Sequence, residues 1–224
     1  MIVWLASYPR SGNTLLRVIL HRVFGAKTYS IYDDKSDIGA DAALADVVGH
    51  TFHGLSQTEF CAKAGASPET FLVKTHTRPI GSWPAIYVVR DVRASVYSLW
   101  RYEQTIGGRD TSLEAVIRGQ VNDGSWSDHV RSWCLGGRPD TLIARYEDLA
   151  RSDAATIAAI GEFLDLEPRT DFDLTFDDLK RINPKFFHTG SNAASIEALD
   201  HRHLRLIAEL HGEVMQEMGY PSLA

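Results

Sequence analysis

At 224 residues, with 44% apolar, 10% aromatic and 23% charged side chains, the chain has the composition of a globular protein that folds as one large domain around a single core. The formal net charge of -6 argues against a general binder of nucleic acid or anionic membranes, because those partners reward a broad basic surface. The two cysteines, Cys61 and Cys134, show neither metal-ligand spacing nor a disulfide framework, which predicts a reducing, cytoplasmic location.

The first apolar run, Ile2 to Ala6, is closed by Ser7-Tyr8-Pro9 and predicts a strand that is buried on both faces. The run is too short for a signal peptide or a membrane span, and no basic leader precedes it. Similar runs, each followed by a polar turn, recur at Phe71 to Val73, Ala85 to Val89 and Thr141 to Ala144. Continuous apolar strands of this kind are typical of a parallel sheet.

Between and after these strands, apolar residues return every three or four positions, which predicts helices. The predicted helices are Thr14 to Phe24, Arg93 to Glu103, Ser127 to Leu135, Ala154 to Leu164 and His201 to Met218. The alternation of strands and helices over residues 1–224 predicts a single three-layer α/β domain with a mostly parallel sheet. Two stretches lack either pattern, Lys27 to Glu69 and Thr105 to Ser125, and long irregular connections are commonly functional.

The segment after the first strand, Ser7 to Thr14, leads directly into a predicted helix and has the order of a P-loop-like anion site. The helix N-terminus offers unpaired N–H groups and a partial positive charge, and Gly12 lets the backbone approach a ligand closely. Arg10 adds a cation, and Ser11 and Thr14 add hydroxyl donors. The Walker pattern GxxxxGK[ST] is absent, which argues against an ordinary ATPase, while a tight capped turn without a ligand is the alternative.

Five motifs resemble those of the sulfotransferases that use 3′-phosphoadenosine 5′-phosphosulfate (PAPS). The string SYPRSGNTLLR resembles that family's 5′-phosphosulfate loop, TYPKSGTTW, and Lys74-Thr75-His76 resembles its KTH element. Arg90, followed eight positions later by Ser98, resembles its 3′-phosphate element. In the fourth motif, Gly124-Ser125-Trp126 with His129 and Trp133 resembles the family's GSWxxHVxxW stretch. In the fifth, Arg145 to Leu149 resembles its YEDL element.

The resemblance implies an enzyme that moves a sulfonate group from PAPS to a hydroxyl or amine of a small acceptor, needs no metal and releases 3′-phosphoadenosine 5′-phosphate (PAP). It implies that His76 is the general base, and an unperturbed histidine, which titrates near pH ~6.5, suits that task. Lys74 lies two residues earlier, on the same side of the strand. Arg10 replaces the family's loop lysine, and its guanidinium can stabilise developing charge but is a poor proton donor.

The resemblance also implies two sets of binding residues. The nucleotide would be held by Arg10, Ser11, Gly12, Asn13, Thr14, Leu15, Arg90, Ser98, Tyr146, Phe176 and Gly190. Tyr146 and Phe176 would stack on the adenine or line its pocket, although each could equally fill the core. The acceptor would contact Tyr8, Trp126 and His129 and the two irregular stretches, and aromatic walls favour a partly apolar molecule. Helix packing is the alternative for Trp126.

The chain departs from the family near its C-terminal end. Where the family has FxRKGxxGDW, which helps to grip the 3′-phosphate, this chain has Phe186-Phe187-His188-Thr189-Gly190-Ser191, in which only the glycine matches. Either backbone N–H groups with His188 and Thr189 replace the lost cations, or nucleotide binding is weaker. The dimer segment KxxxTVxxxE is also missing, which leaves the oligomeric state open.

Two other functions remain as alternatives. The first is a nucleotide kinase or NTPase of the same α/β architecture, against which the missing Walker lysine argues. The second is a non-catalytic module that binds PAP or PAPS, against which the intact Lys74 and His76 argue.

Overall fold

The computed structural model describes residues 1–32, 41–138, 140–184, 187 and 192–221, and its centre is a five-stranded parallel sheet. The strands are β1 (Ile2–Ser7), β2 (Thr28–Ser30), β3 (Phe71–Thr75), β4 (Ala85–Val89) and β5 (Thr141–Arg145), in the spatial order β2-β3-β1-β4-β5. The four strands predicted from apolar runs are confirmed, and every described strand pair is parallel. Strand β2 was not predicted because three residues are too few to form a recognisable pattern.

Helices connect the strands and follow the last one. Their bounds are α1 (Asn13–Phe24), α2 (Ala42–Val47), α3 (Gln57–Ala66), α4 (Val92–Thr105), α5 (Leu113–Ile117), α6 (Trp126–Val130), α7 (Tyr146–Ala150), α8 (Ala154–Leu164), α9 (Phe176–Ile182), α10 (Asn192–Glu197) and α11 (His201–Glu217). The five predicted helices are confirmed, except that the one predicted from Ser127 to Leu135 is the short helix α6 continued by a π-helical turn over Arg131–Leu135. In the described ranges, none of the helices has the length and apolar content that crossing a membrane requires.

The helices cover both faces of the sheet and give the domain three layers. Side chains of β1 alternate between two apolar cores: Ile2 and Trp4 face the core shared with α4, α6 and α11, whereas Val3 and Leu5 face the core shared with α1 and α8. Every residue of β1 is buried. The continuous apolar sequence of this strand therefore follows from its position between two helical layers.

The C-terminal ends of the parallel strands meet at one edge of the sheet. Because β1 lies between β3 and β4, the segments that follow these three strands begin side by side. Those segments carry Arg10, His76 and Arg90. In open α/β sheets, ligands bind outside this edge, so the topology assembles the predicted motifs where a binding site is expected.

Candidate active site

A cavity of about 260 Å³ opens at the C-terminal edge of the sheet. The predicted site residues that line it are Arg10, Gly12, Asn13, Thr14, Leu15, Lys74, His76, Arg90, Ser98, Tyr146 and Phe176. Residues that the sequence analysis did not single out also line it, among them Tyr32, Leu99, Tyr102, Glu103 and Asp123. The fold therefore brings most of the predicted nucleotide residues and the predicted base into one cavity.

The loop after β1 exposes the N-terminus of α1 to this cavity. Gly12 is the N-cap residue with φ 106°, and a Cβ added there would lie 2.5 Å from Cδ2 of Tyr146, so only glycine fits. The first i→i−4 bond of the helix runs from Leu16 N to Gly12 O at 3.1 Å. The preceding N–H groups have no helical partner, and no side chain among the described residues caps them. These donors and the helix dipole together favour an anion.

Two of the cations that line the cavity, Arg10 and Lys74, lie against different walls. Arg10 has φ 63°, its Nε donates to Ser98 Oγ at 3.5 Å, and its guanidinium lies 5.2 Å from the centre of the Tyr102 ring on α4. Lys74 is buried at the end of β3, and its Nζ lies 5.7 Å from the centre of the Tyr32 ring, in the segment after β2. Positive charge is thus available on both sides of the helix N-terminus.

The imidazole of His76 is fixed in one tautomer. Its Nδ1 lies 2.9 Å from the carbonyl oxygen of Ser7 and 3.3 Å from Ser7 Oγ. Since a carbonyl oxygen can only accept, Nδ1 carries the proton and Nε2 is the basic nitrogen. The backbone of His76 is held as well: its N–H donates to Tyr32 OH at 2.7 Å, and its carbonyl accepts from His129 Nε2 at 2.8 Å. Ser7 therefore orients the ring, and Tyr32 and His129 hold the backbone of the same residue.

The three residues predicted to contact the acceptor lie in the core and are not among those that line this cavity. Tyr8 and Trp126 are fully buried, and Tyr8 OH donates to the carbonyl of Gly124. His129 accepts from Tyr87 OH at its Nδ1, at 2.8 Å, and burial lowers the pKa of His129 to about 4, so its ring is neutral at pH 7. In this position His129 donates to the carbonyl of His76 and so fixes the backbone of that residue.

Ser11 is another predicted ligand residue that does not line the cavity. Its side chain is buried, and its Oγ forms a hydrogen bond of 3.1 Å with Ser95 Oγ of α4. This contact ties the loop to α4. The backbone N–H of Ser11 donates to the Tyr8 carbonyl at 3.2 Å, within the tight turn of the loop, so both the hydroxyl and the N–H of Ser11 form hydrogen bonds within the protein.

Arg90 is anchored at the end of β4 by three contacts. Its Nη1 donates to the carbonyl of Arg10 at 3.0 Å, its Nε donates to Asn192 Oδ1 at 2.8 Å, and its guanidinium lies 4.1 Å from the centre of the Tyr146 ring. Asn192 in turn donates to Glu147 Oε1 at 2.6 Å. These contacts use two of the three guanidinium nitrogens, and Nη2 forms no hydrogen bond with the described residues.

Aromatic side chains form the wall next to Arg90. Tyr146 and Phe176 both line the cavity, and the Phe176 ring meets the Phe187 ring edge-on at a centroid distance of 6.3 Å. A planar base could stack here. Gly190 lies outside the described residues, as do His188 and Thr189.

The acidic residues of the cavity were not predicted from the sequence. Glu103 is buried on α4 and forms an ion pair with Arg109 at 3.0 Å. Burial and the nearby Glu103 carboxylate raise the pKa of Asp123. Asp123 and Tyr32 come from the two stretches predicted to be irregular and functional, so the sequence indicated the segments but not the residues. In the ranges described above, no group of three or more His, Cys, Asp or Glu side chains could hold a metal ion.

Comparison with known proteins identifies the class. The sulfotransferase domain matches residues 2–197, and the chain belongs to the sulfotransferase family, as its motifs predicted. It is 26% identical over 178 residues to sulfotransferase 1C2 of Oryctolagus cuniculus, a match that covers 71% of this chain and 57% of that protein. It is also 26% identical over 181 residues to sulfotransferase 1E1 of Homo sapiens, covering 73% and 59%. The chain thus spans less than two thirds of these relatives.

Solved structures share the fold. The mouse sulfotransferase SULT7A1 complexed with PAP superposes with a TM-score of 0.68 at 20% identity, covering 96% of this chain and 84% of that one. A retinol dehydratase in complex with androsterone and PAP gives a TM-score of 0.66 at 16% identity, covering 96% and 81%. These likenesses establish the sulfotransferase architecture of the chain.

Proposed function

We propose that this protein transfers a sulfonate group from PAPS to a hydroxyl or amine of a small acceptor, with His76 as the general base. The observation that carries the proposal is the His76 ring, whose Nδ1 proton is directed to Ser7 O at 2.9 Å, so that Nε2 is the basic nitrogen. The same cavity contains Lys74 and the N-terminus of α1. A base, a cation and a set of N–H donors in one cavity are what transfer from an anionic donor requires.

The residues of the cavity fit a 3′,5′-bisphosphorylated nucleotide. The uncapped N–H groups of Asn13, Thr14 and Leu15 would hold the 5′ group, because Gly12 provides the space in front of them. Arg90 and Ser98 form a second anion site on the other side of the loop. Tyr146 and Phe176 would flank the adenine. The PAP in the mouse SULT7A1 and retinol dehydratase structures supports this proposal for a chain of the same fold.

The chain's own residues would then perform the acid–base and electrostatic work. PAPS, when bound, supplies the sulfonate group and leaves as PAP. His76 Nε2 takes the proton of the attacking hydroxyl or amine. Lys74, Arg10 and the α1 N–H groups balance the negative charge that grows on the leaving phosphate. Tyr32 and His129 act as positioning residues, because they hold the backbone N–H and carbonyl of His76.

The acceptor would occupy the part of the cavity near His76 and Tyr32. The acceptor would share the cavity of about 260 Å³ with part of the nucleotide. Androsterone and retinol are found in the retinol dehydratase structures. In this chain Glu103 and Asp123 line the cavity beside aromatic side chains, so the acceptor site is more polar than a purely apolar pocket.

A thermal-shift comparison of PAPS, PAP, ATP and GTP tests the nucleotide, since a ligand that binds only the folded state stabilises it by about 2.7 kcal/mol at a hundred times its Kd. We expect PAP to raise Tm more than ATP, because only a 3′,5′-bisphosphate fills both anion sites. A larger shift with ATP would favour a nucleotide kinase instead. Release of PAP from PAPS is then measured against a panel of phenols, alcohols and amines, and a large PAP shift without transfer to any of them would favour a binding module.

A further inference from the structure

The carboxylate of Glu147, in α7, joins three segments that are far apart in the chain. It accepts from Asn192 Nδ2 at 2.6 Å, from Tyr220 OH at 2.9 Å and from the backbone N–H of Asp91 at 3.3 Å. These donors come from the first residue of α10, from the segment after α11 and from the N-cap of α4. Glu147 is not among the described residues that line the cavity, so its contacts act within the protein.

The Glu147 carboxylate sets the orientation of the Asn192 amide. An ionised carboxylate can only accept, so the amide presents its nitrogen to Glu147 and its oxygen to the other side. Arg90 Nε donates to that oxygen, Asn192 Oδ1, at 2.8 Å. The opposite orientation would bring the amide nitrogen against Arg90 Nε and the amide oxygen against the carboxylate, with no proton to share in either contact. Glu147 therefore acts on the Arg90 guanidinium through a single amide group.

Tyr220 holds the same carboxylate from the other side. Its hydroxyl donates to Oε2 of Glu147, whereas Asn192 donates to Oε1, so both carboxylate oxygens have a fixed partner. Burial and the neighbouring Glu147 charge raise the pKa of Tyr220, so the hydroxyl keeps its proton and remains a donor. Arg145 covers the Tyr220 ring at 4.3 Å from its centre, and Arg145 Nη1 donates to the carbonyl of Met218 at 3.1 Å. The segment after α11 is thus fastened beside Glu147.

We propose that Glu147, Asn192 and Tyr220 are positioning residues for Arg90, and that the segment after α11 thereby contributes to the affinity for the nucleotide. The inference rests on the proposed function, in which Arg90 contacts the nucleotide. Tyr146 holds the face of the guanidinium at 4.1 Å, and the Asn192 amide holds its Nε edge. In the described part of the chain, Glu147 orients Arg90 without forming an ion pair with it, so the charge of the arginine is left for a ligand.

A double-mutant cycle separates positioning from a purely structural role. The Kd for PAP is measured by titration calorimetry for the full chain, for Tyr220→Phe, Glu147→Gln and Arg90→Ala, and for each of the first two combined with the third. Tyr220→Phe removes only the hydroxyl and keeps the ring that Arg145 covers. Tyr29→Phe is the matched control, because Tyr29 packs in β2 against other aromatic rings and does not line the cavity. Thermal unfolding without ligand is recorded for every variant.

We expect Tyr220→Phe and Glu147→Gln each to weaken PAP binding about three- to tenfold, the effect of one lost hydrogen bond, and Tyr29→Phe to leave it unchanged. In the Arg90→Ala background neither substitution should weaken PAP binding further, because the arginine through which they act is gone. Losses of equal size with and without Arg90 would overturn the inference, as would an unchanged Kd in Tyr220→Phe. If Glu147→Gln fails to fold, the Tyr220→Phe cycle decides alone.

The same measurements distinguish failure of this inference from failure of the proposed function. If the unsubstituted chain does not bind PAP, the proposed function fails and the inference fails with it. If PAP binds and the losses are additive, the proposed function stands and only the positioning role is overturned.

Discussion

Replacement of His76 tests the proposed chemistry most directly. Loss of a general base lowers turnover by about 10²–10⁴-fold, or about 2.7–5.4 kcal/mol in activation free energy. Binding of PAP should change little, because the phosphate sites use other residues. His76→Asn is the informative variant. The asparagine amide nitrogen can take the place of Nδ1 and keep the hydrogen bond to Ser7 O, but the asparagine side chain has no basic nitrogen.

His76→Ala, by contrast, also loses that hydrogen bond, which costs about 1 kcal/mol of stability and is small enough for the chain to fold. The backbone of residue 76 would still be held by Tyr32 and His129. The assay is the initial rate of PAP release at saturating PAPS, with PAP affinity measured by calorimetry and the exposed His201→Ala as control. If His76→Asn keeps more than a tenth of the activity, His76 is not the base. A PAP affinity that falls as much as turnover would show that His76 binds the nucleotide.

Four further outcomes are expected. Arg90→Ala should raise the Kd for PAP by about 10–150-fold, since a charge-assisted hydrogen bond contributes about 1.5–3 kcal/mol; calorimetry measures it, and an unchanged Kd removes Arg90 from the site. Lys74→Ala should lower kcat and also weaken PAPS binding, because the lysine charge acts on the bound donor as well as during transfer. Initial rates over a range of PAPS concentrations measure kcat and KM, and a change in only one of the two would contradict this role. Gly12→Ala should abolish PAP binding, because its Cβ would collide with Tyr146 at a φ that alanine avoids; a thermal shift equal to that of the unsubstituted chain would refute this. Burial lowers the pKa of His129 to about 4, so its neutral ring contributes fully to stability above pH ~6.5, and the contribution of about 3 kcal/mol is lost as the pH falls to 4, because the unfolded chain binds the proton first. Urea unfolding of His129→Gln should therefore show a shallower dependence of stability on pH than the unsubstituted chain does.

The fold could be predicted largely from the sequence because each central strand is a continuous apolar run between helical stretches. Burial between two helical layers leaves no polar face on β1 or β4, and such runs stand out from the surrounding sequence. Strand β2 is a different case: Thr28 to Ser30 pairs with β3 only because the neighbouring strand offers it hydrogen bonds. Tertiary pairing of this kind has no local signature.

For the candidate site, the sequence predicted which motifs meet but not which way every side chain faces. Lys74 and His76 line one cavity, as the two-residue period of a strand requires. Trp126 and His129 follow the family pattern yet lie in the core. A sequence motif specifies which residue types are present but not which way a helix directs their side chains. The position of the Arg10 guanidinium against α4 depends on a left-handed backbone conformation at Arg10, and an arginine in the sequence does not indicate such a conformation.

The strand order separates two tasks across the sheet. The elements that we propose bind the nucleotide follow β1, β4 and β5, whereas His76 and Tyr32 follow β3 and β2 on the opposite side of β1. If the proposed function holds, we expect substitutions in the connection between β2 and β3 to change which acceptor is recognised without changing how the phosphates are bound. Such a division would make the scaffold modular: during evolution, or in directed selection, acceptor preference would diversify within one half of the domain while the proposed sulfonate donor stays the same.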